Sequence, residues 1–308
     1  MQEPPCTVGI TCFNAIDTIA RAVESCLVQD WPHLEIVVVD DCSTDGSWDV
    51  LEELASRDDR IRVIRHEVNK GYPAALNTIV SHAQGEFVAF FDDDDDNVPD
   101  RLRAQVERIE AYERGTGAQL VFCYSNRAVV HGGETKPHHI AKAIGRVPRE
   151  PSGPMVADFI LGIDADPGYT WGRFGSCTLM VRRSTLDAVG PFDETFRRSA
   201  EWDMAIRGAQ MGAHFIAVDR PLITQHKTAT ADKAGTIPLR YALKLRDKHR
   251  DYLKARGLYR ASRLIAHSNF HGNGQRKWRA RGFRALAYLT APKLIGGFLA
   301  RRKAARTR

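Results

Sequence analysis

Across the first 125 residues, short apolar runs rich in β-branched side chains alternate four times with stretches of helical spacing, and this alternation narrows the possible folds most. "TVGIT" (7–11) is followed by Ile16, Ile19, Ala20, Val23 and Leu27 at helical intervals. "EIVVVD" (35–40) leads into "DGSWDVLEELASR", where Asp45 or Ser47 is placed to cap a helix. "IRVIRH" (61–66) precedes "PAALNTIVSHA", with Pro73 in its first turn, and "EFVAFF" (86–91) is a fourth strand. Continuous apolar strands separated by helices require a mostly parallel sheet with helices on both faces, an α/β fold. Ligands bind such sheets outside the carboxyl ends of the strands. In this chain those ends carry Thr11 to Asn14, Asp40 with Asp41, Asn69 to Gly71, and the run Asp92 to Asp96.

Five consecutive aspartates raise one another's pKa and oppose folding unless a cation offsets them. Hard carboxylate oxygens suit Mn²⁺ or Mg²⁺, and Mg²⁺ is typically held by one or two carboxylates plus substrate phosphates. A nucleoside diphosphate is therefore the expected complement. A carboxylate ending a strand, such as Asp41, can accept hydrogen bonds from a base or a ribose hydroxyl. The first strand-to-helix turn, "ITCFNA", contains no G-x-G-x-x-G, and no G-x-x-x-x-G-K-[ST] occurs anywhere. Dinucleotide cofactors and P-loop chemistry are thereby disfavoured.

Further along, "AQLVFCYSNRAVV" reads as additional strands, and residues 132–172, rich in Gly, Pro and His, as mainly loop. "SCTLMVRRSTLDAVG" reads as a strand entering a short helix, "EWDMAIRGAQMG" as a helix and "AHFIAVD" as a last strand. Leu239, Ala242, Leu245, His249 and Tyr252 then mark a helical face. Charge divides the chain at Gly235: residues 1–234 carry 24 Lys/Arg against 36 Asp/Glu, and residues 235–308 carry 20 against 2. Two regions with different jobs follow, 1–234 as an α/β domain and 235–308 as a basic, mainly helical appendage. The six cysteines form no C-x-x-C pair and "MQEPPC" lacks the features of a signal peptide, so free thiols in a cytoplasmic protein are expected. The most apolar stretch, "FRALAYLTAPKLIGGFLA", is interrupted by Arg284, Pro292 and Lys293 and is not a membrane span.

Six segments in order, "VGITCFNAIDTIARAVESCLVQDW", "EIVVVDDCSTDGS", "NKGYPAALN", "GEFVAFFDDDDDNVPDRL", "GSCTLMVRRSTLDAVGPFDETF" and "EWDMAIRGAQMG", resemble the family 2 inverting glycosyltransferases of the GT-A fold. The likeness runs from about Val8 to His226. It implies single-sugar transfer from a nucleotide-diphosphate sugar, UDP-sugar favoured, to an acceptor hydroxyl. Counting back from Pro99 places the family's Asp-x-Asp-Asp pattern on Asp92, Asp94 and Asp95, although five identical residues leave a shift of one open. On that register Asp94 binds the metal, Asp92 and Asp93 lie near the ribose, diphosphate or metal, and His226 is a candidate ligand of metal or diphosphate. Asp41 matches the base-binding aspartate, with Thr11, Phe13 and Asn14 beside it. Leu76 stands where many members have arginine, so the phosphate contact is expected from Lys70 or another basic residue. In "SAEWDMAIR" Ala200 takes the place of the family's glutamate and Glu201 that of its catalytic aspartate, so Glu201 is the expected general base. Asp203 is the alternative base, and Trp202 and Asp203 are assigned to the acceptor side. The Gln-x-x-Arg-Trp motif of processive synthases is missing, "QRKW" at Gln275 being one residue short, which favours a single transfer.

Rival classes are a sugar-nucleotide nucleotidyltransferase, for which a Gly-rich basic loop near the N-terminus is expected and not found, and a non-catalytic nucleotide-sugar-binding scaffold. The basic region mixes Trp278, Phe283, Leu286, Leu289, Leu294, Ile295 and Phe298 with its charges. That mixture suits an anionic membrane surface and a lipid-linked acceptor at the inner face of the membrane, while no nucleic-acid-binding motif accompanies it.

Overall fold

The computed structural model describes residues 3–131, 136–164, 166–227, 235–274 and 276–294. The first half alternates as expected: β1 (Cys6–Cys12), α1 (Ile19–Leu27), β2 (Leu34–Asp40), α2 (Ser47–Arg57), β3 (Ile61–Arg65), α3 (Tyr72–His82), β4 (Phe87–Asp92), a two-residue β5 (Asp96–Asn97) and α4 (Arg101–Thr116). The remainder comprises β6 (Val121–His131), β7 (His139–Ala141), α5 (Pro154–Ile160), β8 (Met180–Arg182), α6 (Arg183–Val189), α7 (Ala200–Gln210) and β9 (His214–Lys227). Four helices follow: α8 (Ile237–Lys248), α9 (Arg250–Ala255), α10 (Tyr259–Asn273) and α11 (Lys277–Thr290).

The sheet order is β3-β2-β1-β4-β8-β6-β9-β5, with β7 beside β6. The pairs β1–β2, β2–β3, β1–β4 and β6–β9 are parallel, while β8 runs antiparallel between β4 and β6. Successive side chains of a strand point to opposite faces, and the apolar residues divide accordingly. Ile36, Val38, Phe87, Ala89 and Phe91 pack with α1 and α4 on one face, whereas Val37, Val39, Val88 and Phe90 pack with α3, α7 and the C-terminal helices on the other. Gly9 lets α3 approach: a Cβ there would lie 2.3 Å from Ile79 Cγ2.

"AQLVFCYSNRAVV" forms one strand and not several, because β6 runs unbroken alongside β9, with register shifts near Asn126. The last strand extends beyond "AHFIAVD", so His226 stands on β9 itself. Within 132–172, α5 and β7 form where loop was expected, the helix starting at Pro154 after Gly153.

The C-terminal helices share the main core. Leu245, Leu253, Leu258, Ala261, Ile265, Ala287 and Leu294 belong to the same buried cluster as Val37 and Phe90. The anticipated boundary at residue 234 falls at the edge of 228–234, which lie outside the described residues, as do Gln275, Ile295 and Phe298.

Candidate active site

The loop after β1 is fastened to the loop after β2. Asn14 N donates to Ser43 Oγ, Ala15 N to Ser47 Oγ and Ile16 N to Asp45 Oδ2, at 2.9, 2.9 and 3.0 Å. Asp45 also accepts from Ser47 N at 3.0 Å, so it serves the start of α2 as expected, though Gly46 is the cap residue. Asn14 Oδ1 accepts from Thr44 N at 2.9 Å, and Asn14 does not line the cavity described below. Asn14, Cys42 and Ser199 all have positive φ, at 51°, 65° and 69°. Each precedes or follows an element at this edge of the sheet, where backbone strain concentrates in functional loops.

Asp41 is 4% exposed and organises the third loop. Its Oδ1 accepts from Lys70 N at 2.8 Å and lies 2.7 Å from His66 Nδ1, while Oδ2 accepts from Gly71 N at 2.7 Å. Gly71, at φ 93°, turns the chain into α3. Lys70 thus contributes its amide, and its side chain is exposed away from the cavity lining.

The aspartate run is pinned from several directions. β5 pairs with β9 through Asp96–Thr224 and Asn97–Ile223. Asp93 Oδ2 accepts from Phe13 N at 3.2 Å, and Asp95 Oδ1 from His226 N at 3.1 Å. Arg21 donates to Asp94 O and pairs with Asp96, both at 2.9 Å. Beneath the run Arg101 is fully buried, bonded to Asn97, Gln105 and Phe90 O, with its guanidinium 4.0 Å from the Phe91 ring centre. Burial pulls that guanidinium down to about 10, against the opposing influence of neighbours that include Asp92 and Asp95. Arg127 on β6 also acts on Asp92 and Asp95 and donates to Cys177 Sγ at 3.3 Å. Arg101 and Arg127, with Arg21 at Asp96, therefore offset part of the acidic charge.

They do not offset all of it. Burial, with Asp92 and Asp94 adding repulsion, pushes Asp93 up to about 7, and burial with the neighbouring carboxylates pushes Asp92 and Asp95 upward too. Asp95 Oδ2 is buried without a hydrogen-bond partner among the described residues. Ligand atoms of Asp92, Asp95 and Cys177 lie within 4.8 Å of one another. An orphaned carboxylate oxygen beside repelling carboxylates fits a hard divalent cation. Burial keeps the Cys177 thiol protonated, so the carboxylates are the ligands that match.

A cleft of about 1810 Å³ opens over these loops. Thr11, Phe13, Asp41, Asp92, Asp93 and Asp94 line it from the strand ends, and Glu201 with Trp202 line it from α7. Glu201 stands in the first turn of α7, immediately after Ser199 turns the chain, and burial raises its carboxyl pKa. A carboxylate poised nearer neutrality is a better proton acceptor for a hydroxyl.

Besides Asn14 and Lys70, two more expected site residues lie away from the cleft. Asp203 is fully buried and faces away from the cleft, held by Arg207, Lys248 and His249, because α7 packs that side against the C-terminal region. His226 Nε2 sits 2.6 Å from Asp96 Oδ2, on the Arg21 side of the run, and does not line the cleft. Other residues enter that were not singled out: Arg127, which lies outside the six segments, and Cys177 and Tyr72 within them, the Tyr72 hydroxyl donating to Ser176 Oγ at 2.6 Å. Arg197 lies over Gly71, 3.7 Å from where its Cβ would be.

The family model for glycosyl transferase family 2 matches residues 7–185, more than half of the chain. The chain belongs to glycosyl transferase family 2. Its GT-A fold recurs in solved structures. TarS of S. aureus, residues 1–349 with UDP-GlcNAc, superposes with a TM-score of 0.61 at 19% identity, over 92% of this chain and 79% of that one. The mannosyltransferase PcManGT of Pyrobaculum calidifontis, with GDP-Man and Mn²⁺, gives 0.57 at 19% identity, over 100% and 83%. Among curated proteins, the succinoglycan biosynthesis protein ExoO of Rhizobium meliloti (strain 1021) is 39% identical over 119 residues, 39% of this chain. The match spans 32% of ExoO, and several other curated relatives are likewise matched over less than half their length.

Proposed function

We propose that this glycosyltransferase moves a single sugar from a nucleoside-diphosphate sugar to an acceptor hydroxyl, with inversion at the anomeric carbon, in the assembly of a surface polysaccharide or glycolipid. One observation carries the reading: Glu201 and the aspartates Asp92 to Asp94 line the same cleft from different elements. Glu201 takes the proton of the acceptor hydroxyl as its oxygen attacks the anomeric carbon, and the bond to the diphosphate breaks on the opposite face. That single displacement inverts the configuration. Asp92, Asp94 and Asp95 are the residues to hold Mn²⁺ or Mg²⁺, which when bound offsets the charge developing on the departing diphosphate. Phe13, Thr11 and Asp41 take the nucleoside, a UDP-sugar being the favoured donor; UDP-GlcNAc in TarS and GDP-Man in PcManGT support a nucleotide sugar in general. ExoO's part in succinoglycan biosynthesis supports the polysaccharide setting.

A peripheral seat on an anionic bilayer, at its cytoplasmic face, accompanies this reading. No helix among the described residues is long and apolar enough to cross a membrane. On α11, however, Trp278, Leu286 and Leu289 are 71%, 47% and 78% exposed, with Ala285 between them and Lys277, Arg279 and Arg281 exposed beside them. Large apolar groups flanked by basic ones suit the boundary between lipid headgroups and acyl chains. A lipid-linked acceptor fits that location.

The deciding experiment incubates the full chain with UDP-sugars and candidate acceptors, with and without Mn²⁺, and follows nucleoside diphosphate release and the anomeric configuration of the product. Acceptor-dependent release with an inverted product is expected. Pyrophosphate release, or a retained configuration, would discard the proposal.

A further inference from the structure

The cleft has a second wall that the transfer chemistry does not use. Beyond Trp202 its lining comes from β9, α8, α10, α11 and their connections, and among the described residues it includes no aspartate or glutamate. The apolar lining here comprises Leu239 and Leu245 of α8 and Ala266 of α10, together with Ile160 at the end of α5 and Phe174, all but Leu239 nearly buried. Among them stands Arg246, only 4% exposed. Its Nε, Nη1 and Nη2 donate to the carbonyls of Ser262, Ala242 and Leu161 at 2.8, 2.8 and 2.9 Å. Those acceptors are neutral, and no described carboxylate forms an ion pair with Arg246. The adjacent acid, Asp247, is taken up by Arg263 and the Tyr259 hydroxyl. Burial together with the charge of Arg263 pulls the Arg246 guanidinium down to about 10. A buried cation hydrogen-bonded only to neutral groups retains an uncompensated charge. Nearer the mouth, Arg276 and Arg284 also line the wall, and neither has an ion-pair partner among the described residues.

Apolar surface bounded by unpaired guanidinium groups complements a molecule in which phosphate joins an apolar chain to a sugar. We propose that the wall built by α8, α10 and α11 is an acceptor subsite for a lipid-linked phosphosugar, Arg276 and Arg284 meeting its phosphate and the apolar floor receiving the first segment of its chain. The inference rests on the transfer reading above and specifies its acceptor. Arg246 supplies positive potential from beneath the floor. Guanidinium groups suit this task because their planar forks match phosphate oxygens. The exposed apolar face of α11 belongs to the same helix as Arg284, so a membrane seat would bring the subsite to where such acceptors reside.

The test uses the full chain saturated with UDP and Mn²⁺, so that diphosphate cannot enter the donor side, and titrates farnesyl diphosphate by intrinsic tryptophan fluorescence. Saturable binding is expected, with farnesol and inorganic diphosphate each at least tenfold weaker. The double variant Arg276→Gln/Arg284→Gln should bind farnesyl diphosphate at least tenfold more weakly, with its melting temperature and UDP affinity unchanged. Three results would overturn the subsite: no binding to the UDP-loaded protein, equal binding by the double variant, or inorganic diphosphate binding as tightly as the lipid. UDP affinity, titrated separately without lipid, reports on the donor reading alone.

Discussion

Asp203 Oδ1 lies 2.9 Å from His249 Nε2, joining the helix that presents Glu201 to the end of α8. Its other oxygen accepts from Lys248 Nζ at 2.8 Å and Arg207 Nε at 3.0 Å. Burial would raise this carboxyl's pKa, but the hydrogen bonds from His249 and Lys248, with the charge of Arg207, outweigh it and hold it down to about 2. A depressed pKa contributes stability above the unfolded value, and the contribution disappears as pH falls through the folded value. Asp203→Asn should therefore lose roughly 2 to 3 kcal/mol at neutral pH. The gap from the wild type should narrow between about pH 4 and about pH 2. Urea unfolding across that range checks it; a gap independent of pH would remove the electrostatic explanation.

Glu201→Gln preserves size and removes the proton acceptor. Transfer should fall by about 10²- to 10⁴-fold while UDP binding is retained. A rate within a few-fold of wild type would exclude Glu201 as the base, and the burial of Asp203 leaves that residue unable to replace it.

For the acidic run, the melting temperature should rise on adding UDP with Mn²⁺ and rise much less with UDP and EDTA, since a ligand specific to the folded state stabilises it. Asp94→Asn should lose the Mn²⁺-dependent part of that shift. Equal shifts with Mn²⁺ and EDTA would show that no cation takes part in donor binding.

Asp41→Ala removes the acceptor of two backbone amides, those of Lys70 and Gly71. Of these Gly71 is the buried one, and leaving a buried donor unsatisfied costs about 1–3 kcal/mol. A stability loss in that range should accompany weaker UDP binding, both measurable by thermal shift. Weakened UDP binding at unchanged stability would instead make Asp41 a ligand contact alone.

Vesicle sedimentation tests the face of α11. Wild-type protein should pellet with vesicles containing anionic lipid, less so as salt rises. Trp278→Ser/Leu289→Ser should weaken this several-fold without lowering stability, because both side chains are exposed. Sedimentation indifferent to the substitutions would assign the contact to another surface.

Much of this arrangement was legible in the sequence because it depends on local physics. Runs such as "EIVVVD" and "EFVAFF" bury on both sides in a parallel sheet, and their lengths and flanking polar residues fix where the strands end. The positions of Thr11, Asp41 and Asp92 at one edge follow directly, as does the unequal division of charge at Gly235. Other features depend on residues far apart in the chain. Arg127 and Cys177 meet beside Asp92 because β8 inserts antiparallel between β4 and β6, a pairing that no local pattern announces. His226 lies beyond the run "AHFIAVD" and joins β9 because that strand continues alongside β6. The basic segment read as an appendage because its charge was visible, whereas its share of the core and of the cleft depends on docking. Glu201 and Asp203 stand two residues apart on one helix, turned by about 200° from each other. Sequence placed both near the acceptor. The packing of α8 against α7 decided between them, burying Asp203 in an ionic clasp and leaving Glu201 at the cleft.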